Sequence, residues 1–368
     1  MELNPFVPTF GVSPQILIGR EAILADFASA FSSGPGDPSL SVLITGQRGM
    51  GKTVLLDAYE LAARENGWVV ASESSSPGLL DRLTQDHLPR LIQQISPESR
   101  NKVTSRGGSA FNVSYQSGWE ERYPAETTLR SQVVELTDYL AERGSGLVIT
   151  VDEVQSTDAE ELRKLGEIVQ HARRENRLVG FAAAGLTNAM DEFLSHDGVT
   201  FLRRAERYQI GRVELSEVAQ AMATTINDAG RTIGDEALQY ATFATEGYPY
   251  LIQLVGYYCW KQNPQNSEIT LADVTKGVAD ARRRLGQNVH SSAMRGLSES
   301  DKTYLMAMSL EEADGKSSTG KVAERLGVSA QHAGVYRSRL LAAGVIEQAG
   351  RGYVRFAIPY LGEYLQKS

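Results

Sequence analysis

Ser41-Val-Leu-Ile-Thr-Gly46-Gln-Arg-Gly-Met-Gly51-Lys52-Thr53-Val-Leu-Leu-Asp-Ala58 is the stretch on which the rest of the chain hangs. Gly46, Gly51, Lys52 and Thr53 fill the pattern G-x-x-x-x-G-K-[ST] without a substitution. The flanks agree with it: Val42, Leu43 and Ile44 read as a buried strand, and Val54-Leu55-Leu56 opens a helical pattern. Strand, glycine-rich loop and helix in that order form a cradle for phosphate. The glycines let successive backbone N–H groups turn inward on an anion, and the positive end of the helix faces the same point. Gly46, Gln47, Arg48, Gly49, Met50, Gly51, Lys52, Thr53 and Val54 are therefore expected to wrap a nucleoside triphosphate. Lys52 would reach the β- and γ-phosphates and the Thr53 hydroxyl would ligate Mg²⁺.

A partner for that cradle lies about a hundred residues on. Leu147-Val148-Ile149-Thr150-Val151 is an apolar run ending in Asp152-Glu153, as expected of a buried parallel strand whose carboxyl end faces a metal–phosphate site. Asp152 would hold the metal, and Glu153 would orient and deprotonate the attacking water. Alone the pattern is weak, since strands commonly end in acids; after a complete phosphate loop it becomes specific. A further strand, Leu178 to Leu186, ends in the polar pair Thr187 and Asn188, either of which could equally be a plain helix cap. Arg203, Arg204 and Arg207 cluster beyond it, a pattern usual for a solvated face.

The 368 residues allow two or three domains, and 42% hydrophobic with 22% charged residues is the composition of an ordinary globular protein. No apolar run approaches the roughly 18–20 residues needed to cross a bilayer, so no membrane role is expected. Neither a signal peptide nor a disulfide scaffold is legible, and the single cysteine, Cys259, reads as a buried thiol. The expected compartment is the cytoplasm. The net charge of −8 argues against general nucleic-acid coating. Residues 291–368 hold ten Lys/Arg against eight Asp/Glu, a mild excess that permits a nucleic-acid role there.

Around this core the chain divides into 1–212, 213–290 and 291–368. Residues 4–20 form a Pro-containing arm, followed by an amphipathic helix from Glu21 to about Phe31. Residues 97–126 lose helical periodicity; alternation at Phe111, Val113 and Tyr115 suggests a short strand or hairpin. That excursion is either surface decoration or a contact presenting Trp119, Arg122 and Tyr123. From about Val213 the pattern is helical, with Glu246-Gly-Tyr-Pro249-Tyr-Leu251 as a cap and restart. Arg282–Gly296 reads as a connector, helical at first and then loosening. Beyond it come helices at 301–310, 320–326 and 330–343, then two short strands around a Gly-rich turn.

Several phrases resemble those of the AAA+ and STAND ATPases. "LIGRE" ahead of the loop resembles their adenine-side box, which implies that Ile18, Gly19 and Arg20 border the base. Thr187 or Asn188 resembles sensor 1, Arg203 or Arg204 an arginine finger, and the Gly-Tyr-Pro phrase the G-x-P element that lays Pro249 on the adenine. Tyr250 stands where many AAA+ proteins carry the sensor 2 arginine, which implies a slow, switch-like ATPase. Residues 298–360 resemble a winged helix-turn-helix. Its reading positions would be Gln331, His332, Arg337 and Arg339, with Arg351 and Arg355 on the wing; Val335 is a poor reader. As a whole the chain resembles the AAA+ branch of the origin-recognition and archaeal initiator proteins and their STAND relatives, the archaeal-type ATPases. The resemblance implies an α/β, P-loop (ASCE-type) parallel sheet with the catalytic strand next to the phosphate-loop strand, a helical lid and the winged helix. ATP (or ADP) and Mg²⁺ are the implied cofactors, with ATP-driven self-association. Three roles stay open: a DNA-binding switch, a regulatory or defence protein docking a protein partner, and a nucleotide-locked scaffold with negligible turnover.

Overall fold

The computed structural model describes residues 3–9, 17–95, 128–156, 158–195 and 202–367. The 97–126 excursion, with Trp119, Arg122 and Tyr123, lies outside them. Five parallel strands form the main sheet: β1 (Ser41–Thr45), β2 (Val69–Ser74), β3 (Leu147–Asp152), β4 (Val179–Gly185) and β5 (Glu206–Gln209), in the order β2-β3-β4-β1-β5. β1 and β4 are buried along their whole length, as the continuous apolar runs require of strands covered on both faces.

Side chains alternate across this sheet. Val42 and Ile44 face one side, toward helix α1 (Glu21–Ala30) and helix α2 (Lys52–Glu65); Leu43 faces the other, with Ile149, Val151 and Phe181. The first apolar cluster runs on without a break into the helices after residue 213, through Val218, Met222, Leu251 and Trp260. Those helices are Leu215–Asp228, Asp235–Thr245, Pro249–Gln262 and Leu271–Leu285. Cys259 is buried among them with a free thiol, and burial pushes that thiol up to about 12.

One expectation is overturned by the strand order. The strand carrying Asp152 is not next to the phosphate-loop strand, because β4 pairs with both and lies between them. Neighbouring parallel strands sit about 4.8 Å apart, so the interposed strand opens roughly 10 Å between loop and acids, room for a phosphate and a water. β4 is made of small residues at its exit; a Cβ on Gly185 would lie 2.2 Å from Val154. Helix α2 leans across β4 onto β3, which returns the loop's threonine to the acids.

The C-terminal elements have a core of their own, with Leu305, Met308, Val322, Leu340, Ile346 and Val354. Its helices are Glu299–Leu310, Thr319–Leu326, Ala330–Ala342 and Leu361–Lys367, and its sheet has the order β8-β9-β7-β6 (β6 Glu312–Ala313, β7 Lys316–Ser318, β8 Ile346–Gln348, β9 Tyr353–Phe356). The connector also differs from expectation: it stays helical through Gly286–His290 and Ser291–Arg295. Packing overrides its Gly, Ser and His content, since Gly286 abuts the Tyr364 ring and His290 bonds the Pro359 carbonyl at 2.8 Å.

Candidate active site

The phosphate loop leaves β1 at Gly46, where a side chain would collide with the Ile210 carbonyl at 2.5 Å. It re-enters helix through Gly51 at φ 87°, a left-handed cap that offers no side-chain acceptor to the first N–H groups of α2. Those donors stay available to an anion. Lys52 is buried, and its Nζ donates to the Gln47 carbonyl at 3.1 Å. Burial pulls its ammonium below the ordinary lysine value, against the opposing pull of Glu153 and Asp152. An anionic ligand would offset that desolvation and favour the charged form.

Thr53 Oγ1 donates to Asp152 Oδ2 at 2.6 Å, so hydroxyl and carboxylate meet although their strands are not neighbours. Hard oxygen donors of this kind suit Mg²⁺, which takes one or two carboxylates and fills its shell from phosphate and water. Among the described residues no group of three or more His, Cys, Asp or Glu could hold a metal by itself.

Glu153 is one of the few non-glycine residues at positive φ, at 58°. Such a conformation costs of order 1 kcal/mol or more and persists only where the surroundings enforce it. Here its N–H donates to Asp152 Oδ1 at 2.8 Å and its carbonyl accepts from Ser156 at 2.8 Å. Its carboxylate accepts a hydrogen bond from Gln155 Nε2, and Gln155 Oε1 in turn accepts the Leu186 N–H at 3.2 Å. Gln155 thus ties the candidate base to the exit of β4. Nothing in the sequence marks it except its position two residues after the acid pair.

The expected base-side residues gather at the start of the lid. Arg20 Nη2 donates to the Gly211 carbonyl at 2.6 Å, and a Cβ on Gly19 would meet Glu217 at 2.7 Å. Ile18 packs on the cluster that holds Val213 and Tyr248, and Pro249 opens the lid helix beside them. The hydroxyl of Tyr248, which is fully buried, donates to the Arg48 carbonyl at 2.9 Å.

Asn188 lies at the mouth of the site but is engaged: its Nδ2 donates to the Leu341 carbonyl at 3.1 Å. Arg48 Nε donates to the Ala343 carbonyl at 3.3 Å. The carboxyl end of the 330–342 helix therefore sits on the phosphate loop, and Gly344 packs close to Gln47. No sequence signal pairs these segments, which are about 300 residues apart. Thr187 begins the helix Thr187–Ser195 beside Asn188.

The arginines are not brought to the site. Arg203 caps the end of that helix through the carbonyls of Leu194 (2.9 Å) and Ser195 (3.4 Å). Arg203 and Arg204 precede β5, whose Glu206 is level with Val42 at the entry of β1. They lie at the opposite end of the sheet from the loop, so neither reaches the phosphates of its own chain. The expected DNA readers are also partly committed: Arg339 pairs with Asp301 at 2.6 Å, Arg355 with Glu347 at 2.6 Å, and His332 with the Tyr336 hydroxyl at 2.7 Å. Gln331 and Arg351 are exposed and Arg337 half-buried.

Residues 16–180 match the family model described as an AAA ATPase domain, and residues 287–365 match one described as a domain of unknown function (DUF8462). No curated protein matches the chain. Among solved structures, the Walker-type ATPase PABY2304 of Pyrococcus abyssi is similar with a TM-score of 0.67 at 14% identity, over 96% of this chain and 97% of that one. The ORC2 protein of Aeropyrum pernix, solved as ADPNP–ADP complexes, gives 0.63 at 15% identity over 98% and 96%. Cdc6p of Pyrobaculum aerophilum gives 0.50 at 14% identity over 98% and 96%. At such identities the likeness is one of fold, and it runs the length of the chain. Among the described residues no helix is long and apolar enough to cross a membrane. With phosphate loop, acid pair and strand order in place, residues 16–180 form an ATP-hydrolysing domain that matches the model of the AAA ATPase domain.

Proposed function

We propose that this ATPase is a slow switch whose nucleotide state decides whether the C-terminal module stays seated on the phosphate loop. One observation carries the reading: Arg48 and Asn188, both expected from the sequence to meet a triphosphate, are spent on the carbonyls of Ala343 and Leu341. A helix carboxyl end bears partial negative charge, and the ligand's phosphate chain bears full negative charges. The two compete for the same donors, and ATP displaces the helix.

In turnover, Lys52 offsets charge on the β- and γ-phosphates, while Thr53 and Asp152 would hold Mg²⁺, which neutralises charge there when bound. Glu153 takes the proton of the attacking water. Slow hydrolysis is expected because neither Arg203 nor Arg204 reaches the phosphates of its own chain and Gln155 occupies the base. Arg204, exposed at the far end of the sheet, could serve only a neighbour's site, which is why ATP-bound chains are expected to associate.

The freed module presents Gln331, His332, Arg337 and Arg351, a surface suited to duplex DNA. A protein partner is the second reading, favoured by Val335 and Tyr353, 51% and 42% exposed on that module, and by the internal pairing of Arg339 and Arg355. The test uses the full chain carrying Glu153→Gln, with fluorophores at Leu61 and Gln366. ATP should lengthen the distance between them and ADP should not; identical distances in all states would overturn the switch. DNA affinity that appears with ATP and falls steeply with salt selects DNA over protein.

A further inference from the structure

The lid residue next to Pro249 does something that its motif does not announce. Tyr248 caps the helix Pro249–Gln262, and its backbone is anchored on both sides: Tyr248 N–H donates to the Thr245 carbonyl at 2.9 Å, and Val213 N–H to the Gly247 carbonyl at 2.8 Å. The ring is fully buried, and its hydroxyl ends against the phosphate loop, on the Arg48 carbonyl. A Cβ built on Gly49 would lie 1.9 Å from that oxygen, so residue 49 must be glycine for the contact to exist. Burial pushes the phenol upward, and it remains a donor across the working range of pH.

We infer that Tyr248 is a positioning residue for the phosphate cradle. The Arg48–Gly49 peptide is planar and trans, so its carbonyl and N–H point in opposite directions. Fixing the carbonyl inward on a buried phenol fixes the Gly49 N–H outward, onto the exposed side of the loop where an anion arrives. Without the hydroxyl that restraint on the peptide is lost, and a flipped peptide would present a carbonyl to the phosphates. The phenol also moves with the lid. Lid position therefore sets phosphate affinity without any lid atom touching phosphate, and this rests on the loop holding nucleotide, not on the docking of the C-terminal module.

The experiment is calorimetry on the full chain carrying Tyr248→Phe, which keeps the ring and removes one oxygen. ATP, ADP and inorganic tripolyphosphate should each bind roughly tenfold more weakly, the scale of one buried hydrogen bond. Adenosine, measured by competition, should bind as before. A purely structural role for the ring would leave tripolyphosphate unchanged, or would weaken adenosine and tripolyphosphate together; either result overturns the assignment. Gly49→Ala, on the exposed loop, is the second variant: it should show the same phosphate-selective loss.

Discussion

Two helix ends meet at the phosphate loop, and they are treated in opposite ways. The amino end of Lys52–Glu65 is left without a side-chain cap, behind a left-handed glycine. The carboxyl end of Ala330–Ala342 is capped from outside its own module by Asn188 and Arg48. One end carries positive and the other negative partial charge. An anion in the cradle completes the first and opposes the second. Under the proposed switch, nucleotide occupancy and docking of the C-terminal module are linked through the same few donors.

The comparison can be broken at several points, in falling order of effect. Glu153→Gln should slow hydrolysis about a thousandfold, within the range of general-base removal, while ATP affinity holds. Phosphate release measures the first and calorimetry the second; a variant that still turns over would mean another group serves as base. Lys52→Ala should cost about a hundredfold in ATP affinity by removing the buried cation from the amino end, with docking intact. Asn188→Ala removes one cap from the other end. Hydrogen exchange of the 330–342 amides should quicken by roughly fivefold, the scale of about 1 kcal/mol. If exchange in that helix is unmoved, Asn188 does not hold it.

Charge at the amino end can be varied by pH alone. Burial lowers the Lys52 value below 10.5, and the charged form is the one that binds phosphate. ATP affinity should therefore be full below the lowered value and fall as pH rises through it, sooner than an ordinary lysine would allow. A titration flat to pH 10.5 would contradict this. The smallest effect is expected from Gly344→Ala. Gly344 has φ +65°, and an added Cβ would lie 2.9 Å from Gln47 Oε1. A left-handed alanine costs about 1 kcal/mol, so the C-terminal module should melt a few degrees lower, read by calorimetry.

Much of the site was legible because its residues are close in sequence and chemically unusual. Gly46, Gly51, Lys52 and Thr53 stand at fixed offsets, and Asp152-Glu153 closes an apolar run; backbone geometry and charge demand those residue types there. Gln155 and Tyr248 were not legible, since neither residue type is rare and each matters only for what lies beyond its own segment. The 286–295 helix was missed for a related reason. Its Gly, Ser and His content disfavours helix locally, and only the packing of Gly286 on Tyr364 reverses that preference.

The sequence by itself determined a glycine-rich phosphate loop and an acid pair at the end of an apolar strand, because local spacing specifies both. Tertiary structure alone decided that β4 separates those two parts, that Arg203 and Arg204 lie at the wrong end of the sheet for their own nucleotide, and that a helix some 300 residues away rests on Arg48. Strand order and docking are settled by which apolar faces can be buried together, a choice among long-range pairings that no local pattern encodes.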